Sequence, residues 1–160
     1  MTKQINKKIL ISILIFILAI LISAFIVEYK LNHKPCKLCL YQRIPYFVSL
    51  LLIINVLFIK KYEKITFFIL FLIFFFSFIL AFYHFGIEQG FFEESTTCAT
   101  GNLSNTLSKN ELLEQLKQNS ISCKDVSFKI LGLSLATINT FFSLILSAIF
   151  LKFYINYEKN

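Results

Sequence analysis

Cys36-Lys37-Leu38-Cys39-Leu40-Tyr41-Gln42-Arg43 runs straight into Ile44–Ile59, 16 residues without a charge. A C-x-x-C pair thus stands at the foot of an apolar run, with a fixed cation four residues after the second cysteine. As a helix, Ile44–Ile59 would reach only about 24 Å, short of the roughly 30 Å of a bilayer core. The helix therefore begins earlier, near Leu38 to Tyr41, or the bilayer thins locally; the earlier start puts Cys39 and Arg43 in its first turns at the lipid interface. Pro45 then lies close inside the helix start, where a missing N–H costs little. A thiol there meets unsatisfied backbone N–H groups and the positive end of the helix dipole, and this reading gives that place to Cys39. Arg43 shares its face and cannot lose its proton, a second bias toward thiolate. The competing readings of C-x-x-C are half of a zinc site and a structural staple. A zinc site would need the remaining two cysteines, which are not so spaced, and no metal is assigned.

Outward from this stretch, the chain has membrane composition. Of 160 residues 57% are hydrophobic and 16% charged, which excludes an ordinary soluble domain. The net charge of +7 does not point to nucleic acid, because the lysines cluster at the ends of apolar runs, as membrane anchors and topology signals do. Ile9–Val27 is 19 residues without a charge, too long for the apolar region of a signal peptide and followed by no good cleavage site. Further spans are expected at about 40–59, 65–83 and 130–151, with loops at about 28–39 and 84–129. Phe74-Phe75-Phe76 reads as lipid-facing bulk. The expected fold is an all-α membrane protein, a four-transmembrane-helix bundle forming a single domain over 1–160. Within its second loop, Ser108 and Glu111 form a capping box, flanked by Leu107 and Leu112. A short amphipathic helix, about 109–118, follows. In the last span Gly132, Ala136, Thr140, Ser143 and Ser147 recur at helical spacing, a small face suited to close packing against another helix.

Lys3, Lys7, Lys8, Lys60, Lys61, Lys64, Lys152 and Lys159 share one side of such a bundle, which the positive-inside rule makes cytoplasmic. All four cysteines fall on the other side, where disulfides persist. Cys98 and Cys123, with 24 residues between them, lie on the long loop, and a loop of that size closed by a disulfide gains about 3 kcal/mol. Two inert staples are therefore one reading. A C-x-x-C ring constrains little, however, and two pairs facing one oxidising compartment favour an electron relay. Thiol–disulfide exchange moves two electrons at a time. With no dinucleotide fingerprint in the chain, a lipid-soluble acceptor such as a quinone suits a site at the hydrocarbon edge.

Three stretches carry a family resemblance. Cys36–Arg43, Tyr83-His84-Phe85-Gly86-Ile87-Glu88-Gln89-Gly90 and Phe128-Lys129-Ile130-Leu131-Gly132-Leu133-Ser134-Leu135 resemble the disulfide-bond formation protein B (DsbB) family, over about Ile9 to Leu151. The resemblance implies a bacterial inner-membrane enzyme that reoxidises a periplasmic DsbA-type thioredoxin-fold oxidase and passes the electrons to ubiquinone or menaquinone. DsbA sits near −120 mV, so its reoxidation calls for a strong final acceptor. By the same resemblance Cys98 is attacked by the partner, Cys123 is its disulfide mate, and Cys36–Cys39 receives the electrons. Cys39 then lies against the quinone, Arg43 stabilises the thiolate and polarises a quinone oxygen, and His84 stands at the quinone edge. Glu88 receives no role, and His33 reads as a solvated loop residue. A vitamin K epoxide reductase-like protein is the alternative enzyme, although there the C-x-x-C is expected late in the helix order.

Overall fold

The computed structural model describes residues 7–59, 62–93, 123, 129–130 and 132–158. Cys98 and the expected amphipathic helix at 109–118 lie outside them. Four long helices make up nearly all of it: α1 (Lys7–Tyr29), α2 (Lys37–Phe58), α3 (Glu63–Glu88) and α4 (Leu135–Glu158). Each contains a stretch long and apolar enough to cross a bilayer. Helices rich in Ile, Val and Phe have modest intrinsic propensity, but in hydrocarbon every backbone group must be satisfied within its own segment.

Three residues past the end of α1, Asn32 takes φ +56, a left-handed conformation that asparagine tolerates better than most residues. α2 has 22 residues, about 33 Å at 1.5 Å per residue, so the early start inferred from the short apolar run is present. It starts at Lys37, and its N-cap is Cys36. The Cys36 Sγ accepts from the Cys39 N–H at 3.2 Å. The thiol over the helix start is therefore the first of the pair, not Cys39. Pro45 sits more than two turns inside, deeper than the start-of-helix placement, and leaves the Tyr41 carbonyl without its helical donor.

α3 runs through Glu88 rather than ending near Tyr83, so His84 and Glu88 are helical and not loop residues. Gly90, at φ +78, ends it. Phe91 N–H bonds Gly86 C=O at 2.8 Å and Gly90 N–H bonds Ile87 C=O at 3.0 Å, a Schellman closure. α4 begins at Leu135, five residues later than expected, because Lys129–Ile130 and Leu133–Ser134 pair as a minimal antiparallel ladder around Gly132 at φ +84. Ser134 then caps the helix, its Oγ accepting from Thr137 N–H at 3.1 Å.

The backbones approach most extensively between α3 and α4, then α2 with α3 and α1 with α2. Ser77 of α3 and Ser143 of α4 are almost wholly buried with their hydroxyls 3.1 Å apart, and Ala136 and Ser147 are buried too, so the small face of α4 is a packing face. Towards the end of the bundle where α1 begins, Leu10 and Ile13 join a core with Phe67, Leu70, Phe74 and Phe150. The Phe74 and Phe150 rings stack at 5.6 Å. Phe74 is thus core rather than lipid-facing; Phe75 and Phe76 do face outward, as do Ile15, Leu51 and Ile145. A second, smaller cluster at the other end joins Cys36, Leu38, Ile87 and Cys123.

Candidate functional site: a thiol pair, a buried amide chain and an apolar cavity

The N-terminus of α2, the C-terminal turns of α3 and the N-terminal turns of α4 meet at one end of the bundle. Cys36 and Cys39, a single helical turn apart, are both free thiols with Sγ atoms 2.6 Å apart. Cys36 is buried, with the His84 Nε2 3.6 Å from its sulfur. Its pKa falls to about 5, first because the Cys39 thiol hydrogen-bonds to it; the His84 ring and the Cys39 N–H add to this and burial opposes it. Cys36 is thus the acidic thiol of the pair, the reverse of the assignment read from the sequence.

Cys123 packs into the same cluster as Cys36 and is disulfide-bonded, the other half of that bond lying outside the described residues. The fold therefore brings a cysteine from the long loop against the C-x-x-C pair. Cys36, Cys39 and His84 present three ligand atoms within 4.8 Å of one another. The three atoms are one short of the four donors of a structural zinc site, and two sulfurs a single helical turn apart are within reach of a disulfide.

From His84 a polar chain runs inward. Gln42 Nε2 is 3.0 Å from His84 Nδ1, and Asn139 Nδ2 donates to Gln42 Oε1 at 2.8 Å. Tyr46 Oη donates to Asn139 Oδ1 and lies 3.3 Å from Ser143 Oγ. Glu88 Oε1 stands 3.7 Å from His84 Nε2, one turn further along α3. Amides in a span are costly unless paired, so this chain is a deliberate feature of the bundle. Gln42, Tyr46 and Asn139 carry no expected role from the sequence, and Glu88 was named there without one. The signal for Asn139 was an amide placed among apolar residues mid-span; Gln42 stood inside the quoted motif.

On the other side of Cys39 lies an apolar cavity of about 410 Å³ between α1, α2 and α4. Ile20, Ala24, Ile138 and Phe142 form much of its wall, with Cys39, Gln42 and Arg43 as polar points. Arg43 does not stand alone there. Its guanidinium pairs with Glu28 at 2.5 Å and lies over the Phe25 ring, 5.2 Å from the centroid. His84 is on the Cys36 side of the pair. His33, read as a loop residue, contributes to the cavity rim.

A protein of Rickettsia prowazekii (strain Madrid E), itself described as uncharacterised, is 31% identical over 161 residues, covering 99% of this chain and 93% of that protein. The family model described as disulfide bond formation protein DsbB matches residues 6–153, which contain the four helices up to the last turn of α4, the C-x-x-C pair, His84 and the cavity. This multi-pass membrane protein, four apolar helices holding a C-x-x-C dithiol beside an apolar cavity, belongs to the DsbB family.

Proposed function

We propose that the protein is a protein-dithiol:quinone oxidoreductase of the bacterial inner membrane, one that generates disulfides for a periplasmic thioredoxin-fold oxidase of the DsbA type. The observation that carries this is the position of the Cys36–Cys39 pair. Cys36 shares a buried cluster with Cys123 on one side, while Cys39 opens onto the 410 Å³ apolar cavity on the other. A dithiol so placed faces a disulfide donor and a lipid-soluble acceptor at once. The cavity lies within the 300–1,000 Å³ of ordinary ligand sites and is mostly apolar with a few polar points, the make-up that a quinone head needs.

The order of events follows from electron balance. The partner's two thiols reduce the Cys98–Cys123 disulfide, leaving the partner oxidised and Cys98 and Cys123 as thiols. These reduce a Cys36–Cys39 disulfide in turn, by attack of one thiolate and resolution by the second. Cys36, in the cluster with Cys123, is the sulfur attacked, and Cys39 is the sulfur released, on the cavity side. The Cys36/Cys39 dithiol then recloses by giving up two electrons and two protons, for which a quinone held in the cavity supplies the acceptor. Arg43, fixed by Glu28 and Phe25, offers a positive edge at the cavity wall. The cytoplasmic placing of both termini rests on the lysines of the N-terminal tail, the turn before α3 and the C-terminal tail.

Purified protein given a reduced DsbA-type oxidase and a short-chain quinone is expected to reduce the quinone, followed by its absorbance. Cys39→Ser is expected to abolish this. Quinone reduction at the unaltered rate by that variant would overturn the reading.

A further inference from the structure

We infer that Gln42 and Asn139 are positioning residues: with Tyr46 they form a hydrogen-bonded amide chain, linking the cavity wall to His84, that fixes which ring nitrogen carries the proton facing Cys36. Its catalytic meaning rests on the thiol-redox function above, but the inference itself concerns the imidazole and is read there.

The donors and acceptors decide the matter. Tyr46 Oη donates to Asn139 Oδ1, and Asn139 Nδ2 donates to Gln42 Oε1 at 2.8 Å. That leaves the Gln42 amino group, which can only donate, against His84 Nδ1 at 3.0 Å. Nδ1 must then be the lone-pair nitrogen, and a neutral ring carries its proton on Nε2. Nε2 is the nitrogen that faces Cys36 Sγ at 3.6 Å and Glu88 Oε1 at 3.7 Å. In this polarity the ring offers Cys36 a donor, which favours the thiolate over the thiol.

Neither amide turns over alone. Rotating Gln42 by itself sets its amino group against the amino group of Asn139; rotating Asn139 by itself sets two carbonyl oxygens together at Gln42. Each leaves buried groups unpaired, at the cost of a lost hydrogen bond. Rotating both together yields one other linked arrangement, but it gives up the bond that Ser143 Oγ donates to Asn139 Oδ1 at 3.4 Å, so a neutral ring favours the first. His84 Nδ1–H then donates to Gln42, Gln42 to Asn139, and Asn139 to Tyr46, whose hydroxyl turns to Ser143 Oγ 3.3 Å away. Ser143 in turn has Ser77 Oγ at 3.1 Å, and hydroxyls can serve as donor or acceptor, so the chain ends without an orphan in either direction. Only the reversed arrangement accommodates an imidazolium, which has two N–H groups. The chain thus has two polarities, each matched to a state of His84. The ionisable groups facing that ring are Cys36 and Cys39 from the start of α2 and Glu88 from its own helix, with the Cys123 backbone from the long loop also in hydrogen-bonding reach. Gln42, Tyr46 and Asn139 also line the cavity, so Gln42 touches both His84 and the cavity, and the other two hold it from the cavity side.

The chain has only two histidines, His33 and His84, so ring ¹⁵N spectra of the full-length, ¹⁵N-histidine-labelled protein in detergent are simple to assign with His33→Asn. The thiols are kept reduced and the pH is raised until the His84 ring is neutral. The Nε2–H tautomer is expected to predominate at least about fivefold, the ratio that a hydrogen bond worth roughly 1 kcal/mol enforces. Asn139→Leu, an apolar replacement suited to a membrane helix, removes the group that orients Gln42 and is expected to bring the ratio near unity. Gln42→Glu, which keeps the side-chain shape but can only accept when ionised, is expected to move the proton to Nδ1. His33 is the internal reference in each case. A wild-type ring in the Nδ1–H form or an even mixture would overturn the inference, and so would an unchanged ratio in Asn139→Leu. A failure of quinone reduction with these spectra as expected would overturn the proposed function alone.

Discussion

The two ends of the bundle are built on opposite principles. Where α1 begins, the interior is dry: Phe67, Phe74 and Phe150 are fully buried, and aromatic rings meet edge-on or stacked at 5.6–6.1 Å. Where α2 begins, the interior holds two thiols, an imidazole, two amides and a carboxylate, beside a cavity. Side chains that fill space hold the helices together at one end; at the other, polar groups hold one another in place and leave room. Dispersion and close approach, not exclusion of water, drive helix association in lipid, so the dry end supplies the packing that the polar end forgoes.

Substitutions that strike one end and spare the other sharpen this contrast. The largest effect is expected at the thiol pair. Cys39→Ala removes the hydrogen bond that contributes most to the acidity of Cys36, and the pH midpoint of Cys36 alkylation should climb from about 5 toward the unperturbed thiol value of 9.0. Since folding lowers this pKa, the stability linked to it in the reduced protein is complete above 9.0 and is lost as pH falls through about 5. An alkylation midpoint unmoved in Cys39→Ala would mean that the helix start and His84 act on Cys36 without Cys39. Next comes Phe74→Ala at the dry end, expected to cost about 3–5 kcal/mol in detergent unfolding while leaving that midpoint where it was. A coupled change in Cys36 would dissolve the division between the ends. The smallest effect is expected at the cavity: Arg43→Ala should raise the quinone KM about tenfold, the weight of one charge-assisted contact, with little change in unfolding. An unaltered KM would remove Arg43 from the cavity's function and leave it a partner of Glu28.

The four helices were legible because long charge-free runs bounded by lysines have few other solutions. Their ends were less so. His84 and Glu88 looked like the start of a loop, yet they lie one turn apart with buried partners, and Gly90, a plain stop signal, is where α3 closes. Ile130 looked like the start of a span, but Gly132 and Ser134 make a turn and a cap first. The cysteines stood out by spacing alone. The roles within the pair did not, because whether Cys36 or Cys39 caps α2 turns on three residues of helix start, less than one turn. The Gln42–Asn139–Tyr46 chain was beyond reach for a different reason: its members sit on two helices, and the rotation of each about its own axis is settled by packing that no local pattern records. Arg43 was read toward Cys39, while Glu28 and Phe25, on the preceding helix, hold it at the cavity wall.

α1 leans along α2 and has no comparable backbone approach to α4; across that seam the Phe16 and Phe142 rings meet edge-on at 5.2 Å. The chamber beside Cys39 thus has one wall closed by side chains rather than by a tight helix–helix seam, so its shape answers to rotamers there more than to backbone.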